Sequence, residues 1–147
     1  MTLPNLPDPE LLPEFYAHVP LKRLVAWGVD GVLIFILTGV VLIFTALLTL
    51  AILPILYVAL NVAYRWVSLA RWSATPGMAL MAIELRNRRG ERIDRETALW
   101  HTLLYTGCMI TVVPQVASVA MMLVSPRNQG LGDTLLGTVM LNRPAGG

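Results

Sequence analysis

Arg23 and Asp30 are the first residues in the chain that could do chemistry, and they lie in the segment PLKRLVAWGVDGVLIFILTG (20–39). They are seven residues apart, which on an α-helix is about two turns and about 10.5 Å of rise along one face. A lone carboxylate in a bilayer costs about 2.5–3.5 kcal/mol, so we expect Asp30 to face protein or water and to find a cation or hold its proton. The pair is therefore predicted to be either an ion or proton site or a structural ion pair that fixes helix packing. In both cases we expect the Arg23 guanidinium to compensate the Asp30 carboxyl inside the protein.

His101 is a further ionisable side chain in an apolar stretch, and an imidazole can change its charge near neutral pH. It becomes a candidate for the same site if it faces Asp30; otherwise it is a hydrogen-bonded, structural histidine. The chain has no HExxH, GxSxG or P-loop motif and no cluster of His and carboxylate residues at metal-ligand spacing. We therefore predict no enzymatic activity, no cofactor and no metal site.

The composition indicates that a membrane protein must position these residues. Of the 147 residues, 56% are hydrophobic and 14% are charged, whereas a soluble domain has about 25% charged residues. The net charge of +2 is too small to indicate nucleic-acid binding, and the single cysteine excludes a disulfide within the chain. The predicted fold is an all-α membrane protein, a small polytopic helical bundle of three to four membrane helical segments with a short cytoplasmic β-hairpin-like loop.

The first two membrane helices follow from a long uncharged run. The 34 residues between Asp30 and Arg65 carry no charge, and with their apolar flanks they are too long for one span of about 20 residues. We predict helices near 23–46 and 52–71, joined by a connection around 47–52. Pro54 then falls in the first turn of the second helix, where a missing N–H is harmless.

The segments outside the helices are a tail at each end and one polar loop. Residues 1–20 contain five prolines and lack the features of a signal peptide, so they are predicted to be an interfacial or disordered tail. Residues 142–147 form a C-terminal tail. The segment from Arg71 to Arg95, which contains the loop 73–95, has six arginines against three acids, and such an excess marks the cytoplasmic side. Because two helices precede this loop, the N-terminus is expected to be cytoplasmic as well.

Local patterns within the loop predict short elements. Ile83 and Leu85 alternate with charged residues, and NRRG followed by ERI predicts that this strand turns back on itself as a short hairpin. Asp94 is the predicted N-cap of the next helix.

The third helical segment covers 96–124 and is predicted to bend at Pro114. One kinked span would leave the C-terminus outside, whereas a broken hairpin of two short arms would return it to the inside. Two arms of about 14 residues would each reach about 21 Å, which is less than the hydrocarbon core of about 30 Å. We therefore favour a re-entrant or thinned hairpin.

Three segments together resemble the RDD family of small membrane proteins, which is named for one arginine and two aspartates. The segments are RLVAWGVD (23–30), ATPGMALMAIEL (74–85) and SPRNQGLGDTLLGTVML (125–141). The resemblance implies an RDD-like transmembrane domain over 21–141, in which Arg23, Asp30 and Asp133 are the matching trio. This sequence departs from the family pattern at two positions. Met78 stands where a lysine commonly follows Thr-Pro-Gly, and Gly132 stands where a histidine often precedes the second aspartate.

The resemblance also implies a function, transport of a small cation coupled to protons. Asp30 would bind the cation or proton, Arg23 would adjust the affinity of that carboxyl, and Asp133 would close the cytoplasmic gate near the Arg23 end of the bundle. The alternative is a non-catalytic accessory, scaffold or assembly subunit of a larger membrane complex. So small a chain lines a pore poorly by itself, so we expect a homo-oligomer or a larger complex in the bacterial inner membrane.

Overall fold

The computed structural model describes residues 6–45 and 52–143, and this part of the chain is mostly helical. A short 3-10 turn at Pro13–Phe15 precedes the first helix. The helices are α1 (Val19–Phe44), α2 (Leu53–Trp72), α3 (Pro76–Leu80), α4 (Arg95–Ile110), α5 (Val112–Val124) and α6 (Leu131–Leu136). The strands are β1 (Ile83–Asn87) and β2 (Thr138–Asn142).

Two helices, α1 and α2, are long and apolar enough to cross a membrane. They are 26 and 20 residues long, or about 39 and 30 Å at 1.5 Å per residue, so each can cross a core of about 30 Å. Pro54 lies in the first turn of α2, where no intrahelical N–H is needed. The connection predicted around 47–52 lies outside the described residues, apart from Ile52.

The bent pair α4–α5 is a third crossing if the two helices are counted as one span. The axis changes direction by 115° at Thr111, whose backbone is extended, and not at Pro114 as the sequence suggested. A proline ring clashes with the carbonyl four residues earlier, so the helix breaks ahead of Pro114, which then sits in the first turn of α5. The arms of 16 and 13 residues reach about 24 and 20 Å, so each is shorter than the apolar core.

The predicted hairpin, in which β1 pairs with the residues that directly follow it, is wrong, because the main partner of β1 is the distant strand β2. β1 pairs antiparallel with β2, from Ile83 opposite Asn142 to Asn87 opposite Thr138. The local return contributes one isolated bridge, between Arg86 and Arg92. The distant partner is preferred because β2 brings a run of apolar residues that becomes buried against β1, whereas the local return offers mainly charged residues.

The N-terminal segment packs against β2, so of the two predicted alternatives, an interfacial or a disordered tail, the described residues 6–20 do not fit the disordered one. Tyr16 is buried, and its hydroxyl donates a hydrogen bond to the Pro7 carbonyl at 2.7 Å. The side chain of Asn142 donates to two backbone carbonyls of the same segment, those of Glu14 and Ala17. Residues 6–20 are therefore part of the fold, and Asn142, assigned to a tail from sequence, belongs to β2. Residues 1–5 and 144–147 lie outside the described part of the chain.

Asp94 caps α4, as its position in the sequence predicts. Its Oδ1 accepts a hydrogen bond from the Thr97 backbone N–H at 2.7 Å. The bonds from Thr97 hold the pKa of the Asp94 carboxyl below its ordinary value. The cap therefore stabilises the folded state when the carboxyl is ionised.

Asp94→Ala is expected to lower the free energy of unfolding by about 1 kcal/mol, because an N–H in the first turn of α4 loses its acceptor. The loss should be full at neutral pH and should shrink as the pH falls below about 4, because the carboxyl of the parent protein then becomes protonated. Thermal unfolding of the detergent-solubilised protein at several pH values measures it. Asp94→Asn keeps a capping oxygen and should retain most of the stability; an equal loss in both variants would contradict the capping role.

Candidate functional site

Asp30 lies inside the protein and is held by neutral donors. It is 2% exposed, and its oxygens accept hydrogen bonds from the Tyr64 hydroxyl at 2.8 Å, the Thr75 hydroxyl at 2.5 Å and the Gly77 backbone N–H at 2.8 Å. The Thr75 hydroxyl also accepts from the Met78 N–H at the start of α3. The Thr-Pro-Gly segment (75–77) thus joins α1 to α3 by way of Asp30.

Arg23 does not form the ion pair with Asp30 that was one of the two expectations. Among residues 6–45 and 52–143 no salt bridge involves Asp30, and the Arg23 guanidinium instead contacts the carboxylate of Asp133 at 2.5 Å. The seven-residue spacing separates the two side chains by about 10.5 Å along the axis of α1, whereas α6 brings Asp133 beside the first turns of α1. The three donors around Asp30 replace the cation that we expected.

Asp133 is the centre of a second buried group, which we call the Asp133 network. The carboxyl is 1% exposed and accepts hydrogen bonds from Arg23, from His101 Nε2 at 2.9 Å, from the Gly130 N–H at 3.1 Å and from the Thr138 hydroxyl at 3.2 Å. These contacts join α1, α4, α6 and β2 at one point.

The electrostatics of the Asp133 network favour an ionised carboxylate. Burial by itself raises the pKa of Asp133, but the charge of Arg23 and the hydrogen bonds from His101 and Arg23 outweigh it, so the pKa lies well below its ordinary value. A buried carboxylate with this many donors is a stable anion.

His101 faces Asp133 and not Asp30. Its Nδ1 atom is buried and has no hydrogen-bond partner among the described residues. When Nε2 carries the proton that is donated to Asp133, Nδ1 is left as a hydrogen-bond acceptor. His101 therefore joins the predicted site, through the second aspartate.

Arg65 belongs to the site, although arginine beside Tyr64 and Trp66 is a pattern typical of a membrane boundary. It is 4% exposed, and its guanidinium carbon lies 3.7 Å from the ring centroid of Tyr105. The signal that could have revealed it is its distance from the end of α2: seven residues before Trp72, or about 10.5 Å inside the helix.

A cavity of about 530 Å³ connects these groups. Its volume is in the range of small-molecule sites. The wall is mostly apolar, and the side chains on it that can carry charge are Arg23, Asp30, Arg65, His101 and Asp133. Both aspartates and both arginines thus meet one space, although Arg23 and Asp30 do not meet each other.

Comparison with known proteins agrees with the resemblance seen in the sequence. The profile of the RDD family matches residues 17–137, which are 121 of the 147 residues, and the matched region contains Arg23, Asp30 and Asp133. Nothing matches among curated proteins or among solved structures. A match over this much of the chain, together with two apolar helices of membrane-spanning length, identifies a membrane protein that belongs to the RDD family.

Proposed function

We propose that the protein is a proton-coupled membrane transporter whose substrate binds in the cavity. The observation that carries the proposal is that three buried ionisable side chains, Asp30, His101 and Asp133, lie on the wall of one space of about 530 Å³. Ionisable groups inside a membrane bundle are costly, and they mark substrate and proton pathways. We place the beginning of α1 on the cytoplasmic side of a bacterial inner membrane, because arginine is in excess at this end of the bundle.

His101 is the group that would link proton binding to the substrate. It lines the cavity, its Nε2 contacts Asp133, and its Nδ1 has no partner among the described residues. An imidazole gains or loses a charge between pH 5 and 8 more readily than other side chains. His101 contacts Oδ1 of Asp133 and Arg23 contacts Oδ2, so a charge gained by His101 would place a second cation on the carboxylate that joins α1 to α6.

Neither carboxyl offers a ready site for the small metal cation that the resemblance implied. Each oxygen of Asp30 and of Asp133 already accepts a hydrogen bond. Within the described ranges, no group of three or more His, Cys, Asp or Glu side chains could hold a metal ion. A metal cation would therefore have to displace several donors before it reached either carboxylate.

The test is a flux measurement on purified protein in liposomes that hold an imposed pH gradient and contain a pH-sensitive dye. Sodium, potassium and dodecyl phosphate are added in separate arms, and we expect at least one of them to discharge the gradient. His101→Gln should lose most of the coupled flux. Glu96→Gln, which removes an exposed acid from the same helix, should retain it.

Failure of all three solutes to discharge the gradient would contradict transport. If the protein then co-purified in fixed ratio with a large membrane complex, the accessory-subunit function would take its place. The exposed apolar faces of its helices would in that case contact a partner and not only lipid.

A further inference from the structure

Arg65 is a buried cation without an acceptor. None of its N–H groups has a hydrogen-bond partner among the described residues, and its Nε atom is fully buried. A guanidinium has five N–H donors, and leaving donors of a buried charged group unsatisfied is costly. The ring of Tyr105 covers one face of the guanidinium. This contact does not replace the hydrogen bonds that the N–H groups would make in the plane of the guanidinium.

Among residues 6–45 and 52–143, the other arginine of the cavity has an acceptor and Arg65 has none. Arg23 is paired with Asp133. Asp30 lies on the same wall as Arg65, yet its oxygens are occupied by the hydroxyls of Tyr64 and Thr75 and by a backbone N–H. An anion from outside the protein is therefore the missing partner, and a planar guanidinium is suited to a carboxylate or a phosphate.

The remainder of the cavity is suited to an apolar chain. Its wall beyond the charged groups is formed mainly by leucine, methionine, valine and aromatic side chains of α1, α4 and α5. Leu24 on α1 and Leu123 on α5 line it and yet are 62% and 68% exposed. The cavity therefore opens between these two helices, on a surface that is apolar and that acyl chains would cover.

The depth of Arg65 agrees with a molecule that has a charged head and an apolar tail. Arg65 lies about 10.5 Å along α2 from its end at Trp72. A head group bound there would sit below the membrane surface, and its tail would lie along the apolar wall toward the opening between α1 and α5. Neither a free inorganic anion nor an uncharged lipid would use both parts of the cavity.

We propose that the cavity binds an anionic amphiphile, with its single phosphate or carboxylate head on Arg65 and its apolar chain between α1 and α5. This inference names the substrate class of the proposed transporter and rests on that function only for movement of the ligand across the membrane. Binding itself is a separate property and can be measured alone.

The binding test uses full-length protein in a non-ionic detergent and follows tryptophan fluorescence, because Trp27 lines the cavity. Dodecyl phosphate is expected to bind saturably, and dodecanol, which has the same chain without the charge, about tenfold or more weaker. Arg65→Gln should lower the affinity for dodecyl phosphate to that for dodecanol. Arg65→Lys should give an intermediate affinity, because lysine keeps the charge without the planar guanidinium. Arg71→Gln, an exposed arginine on the same helix, should bind like the parent protein.

Unfolding of the same variants without ligand separates a binding role from a structural one. Relief of an unsatisfied buried charge should leave Arg65→Gln as stable as the parent protein, whereas a purely structural stacking role predicts a loss. A parallel arm measures the binding of phosphatidic acid. Phosphatidic acid represents a bilayer lipid, and dodecyl phosphate represents a free single-chain amphiphile. The one that binds more tightly identifies which of the two kinds of molecule is the ligand.

Equal affinity for dodecyl phosphate and dodecanol, or unchanged binding in both Arg65 variants, would overturn the inference. Saturable binding without proton flux would support the ligand site and contradict transport. Proton flux driven by sodium or potassium without binding of dodecyl phosphate would support transport and contradict the ligand site.

Discussion

Asp133→Asn is expected to lower the free energy of unfolding by about 3–5 kcal/mol, the cost of breaking a buried ion pair by removing one partner. The substitution removes the charge that Arg23 and His101 face in a site that is 1% exposed. The amide that replaces it must also turn an N–H group toward one of the donors that surround the carboxylate. Chemical or thermal unfolding in detergent at pH 7 measures the difference.

The pH dependence of this difference follows from the lowered pKa of Asp133. A carboxyl with a depressed pKa in the folded state contributes stability above its unfolded pKa, about 3.9, and loses it as the pH falls toward the folded value. The contribution of this carboxyl is therefore constant between about pH 5 and 8 and shrinks only below about pH 4. Glu96→Gln is the matched control and should change stability by about 0.5 kcal/mol or less. A similar small change in Asp133→Asn would show that the network does not hold the fold together.

Gly77→Ala is expected to separate α1 from α3. An added Cβ would lie 2.4 Å from the backbone carbonyl oxygen of Ala26 and 2.7 Å from Asp30 Oδ1, and the first of these atoms cannot move without the helix. Overpacking of this kind costs about 1–3 kcal/mol. The displaced backbone would also weaken the 2.8 Å hydrogen bond from the Gly77 N–H to Asp30 Oδ1, for a further loss of about 0.5–1.5 kcal/mol.

Gly28→Ala provides the matched control, because nothing lies within 4 Å of the Cβ that it would add on α1. Alanine is the better helix former by about 1 kcal/mol, so this variant should be as stable as the parent protein or slightly more stable. Unfolding midpoints of the two variants in the same detergent make the comparison. Equal unfolding midpoints for Gly77→Ala and Gly28→Ala would contradict the close packing of α3 on α1.

The features predictable from sequence were those that short segments determine. The apolar run after Asp30 predicted helices near 23–46 and 52–71, and the structure has Val19–Phe44 and Leu53–Trp72. Asp94 caps α4 because a cap depends on three neighbouring residues. The cost of a carboxylate in lipid was enough to indicate that Asp30 lies inside the protein.

The partners of the buried charges could not be derived in the same way. Spacing along α1 suggested Arg23 with Asp30, but Asp133 reaches Arg23 from 110 positions away, and Thr75 reaches Asp30 from 45. The match of β1 with β2 is equally distant and depends on which strand buries more apolar surface. Arg65 could not be assigned to the site from sequence, because arginines beside aromatic residues occur both at membrane boundaries and in buried sites, and only tertiary packing distinguishes the two.

The separation between Arg23 and Asp133 has a consequence for biosynthesis. The two residues are joined by 110 positions, and translation at about 5–20 residues per second makes the acid about 5–20 seconds after the base. For that interval the first helix has to wait in the insertion machinery or at the lipid head groups with its guanidinium uncompensated. A nascent chain that stalls before residue 133 keeps this uncompensated charge.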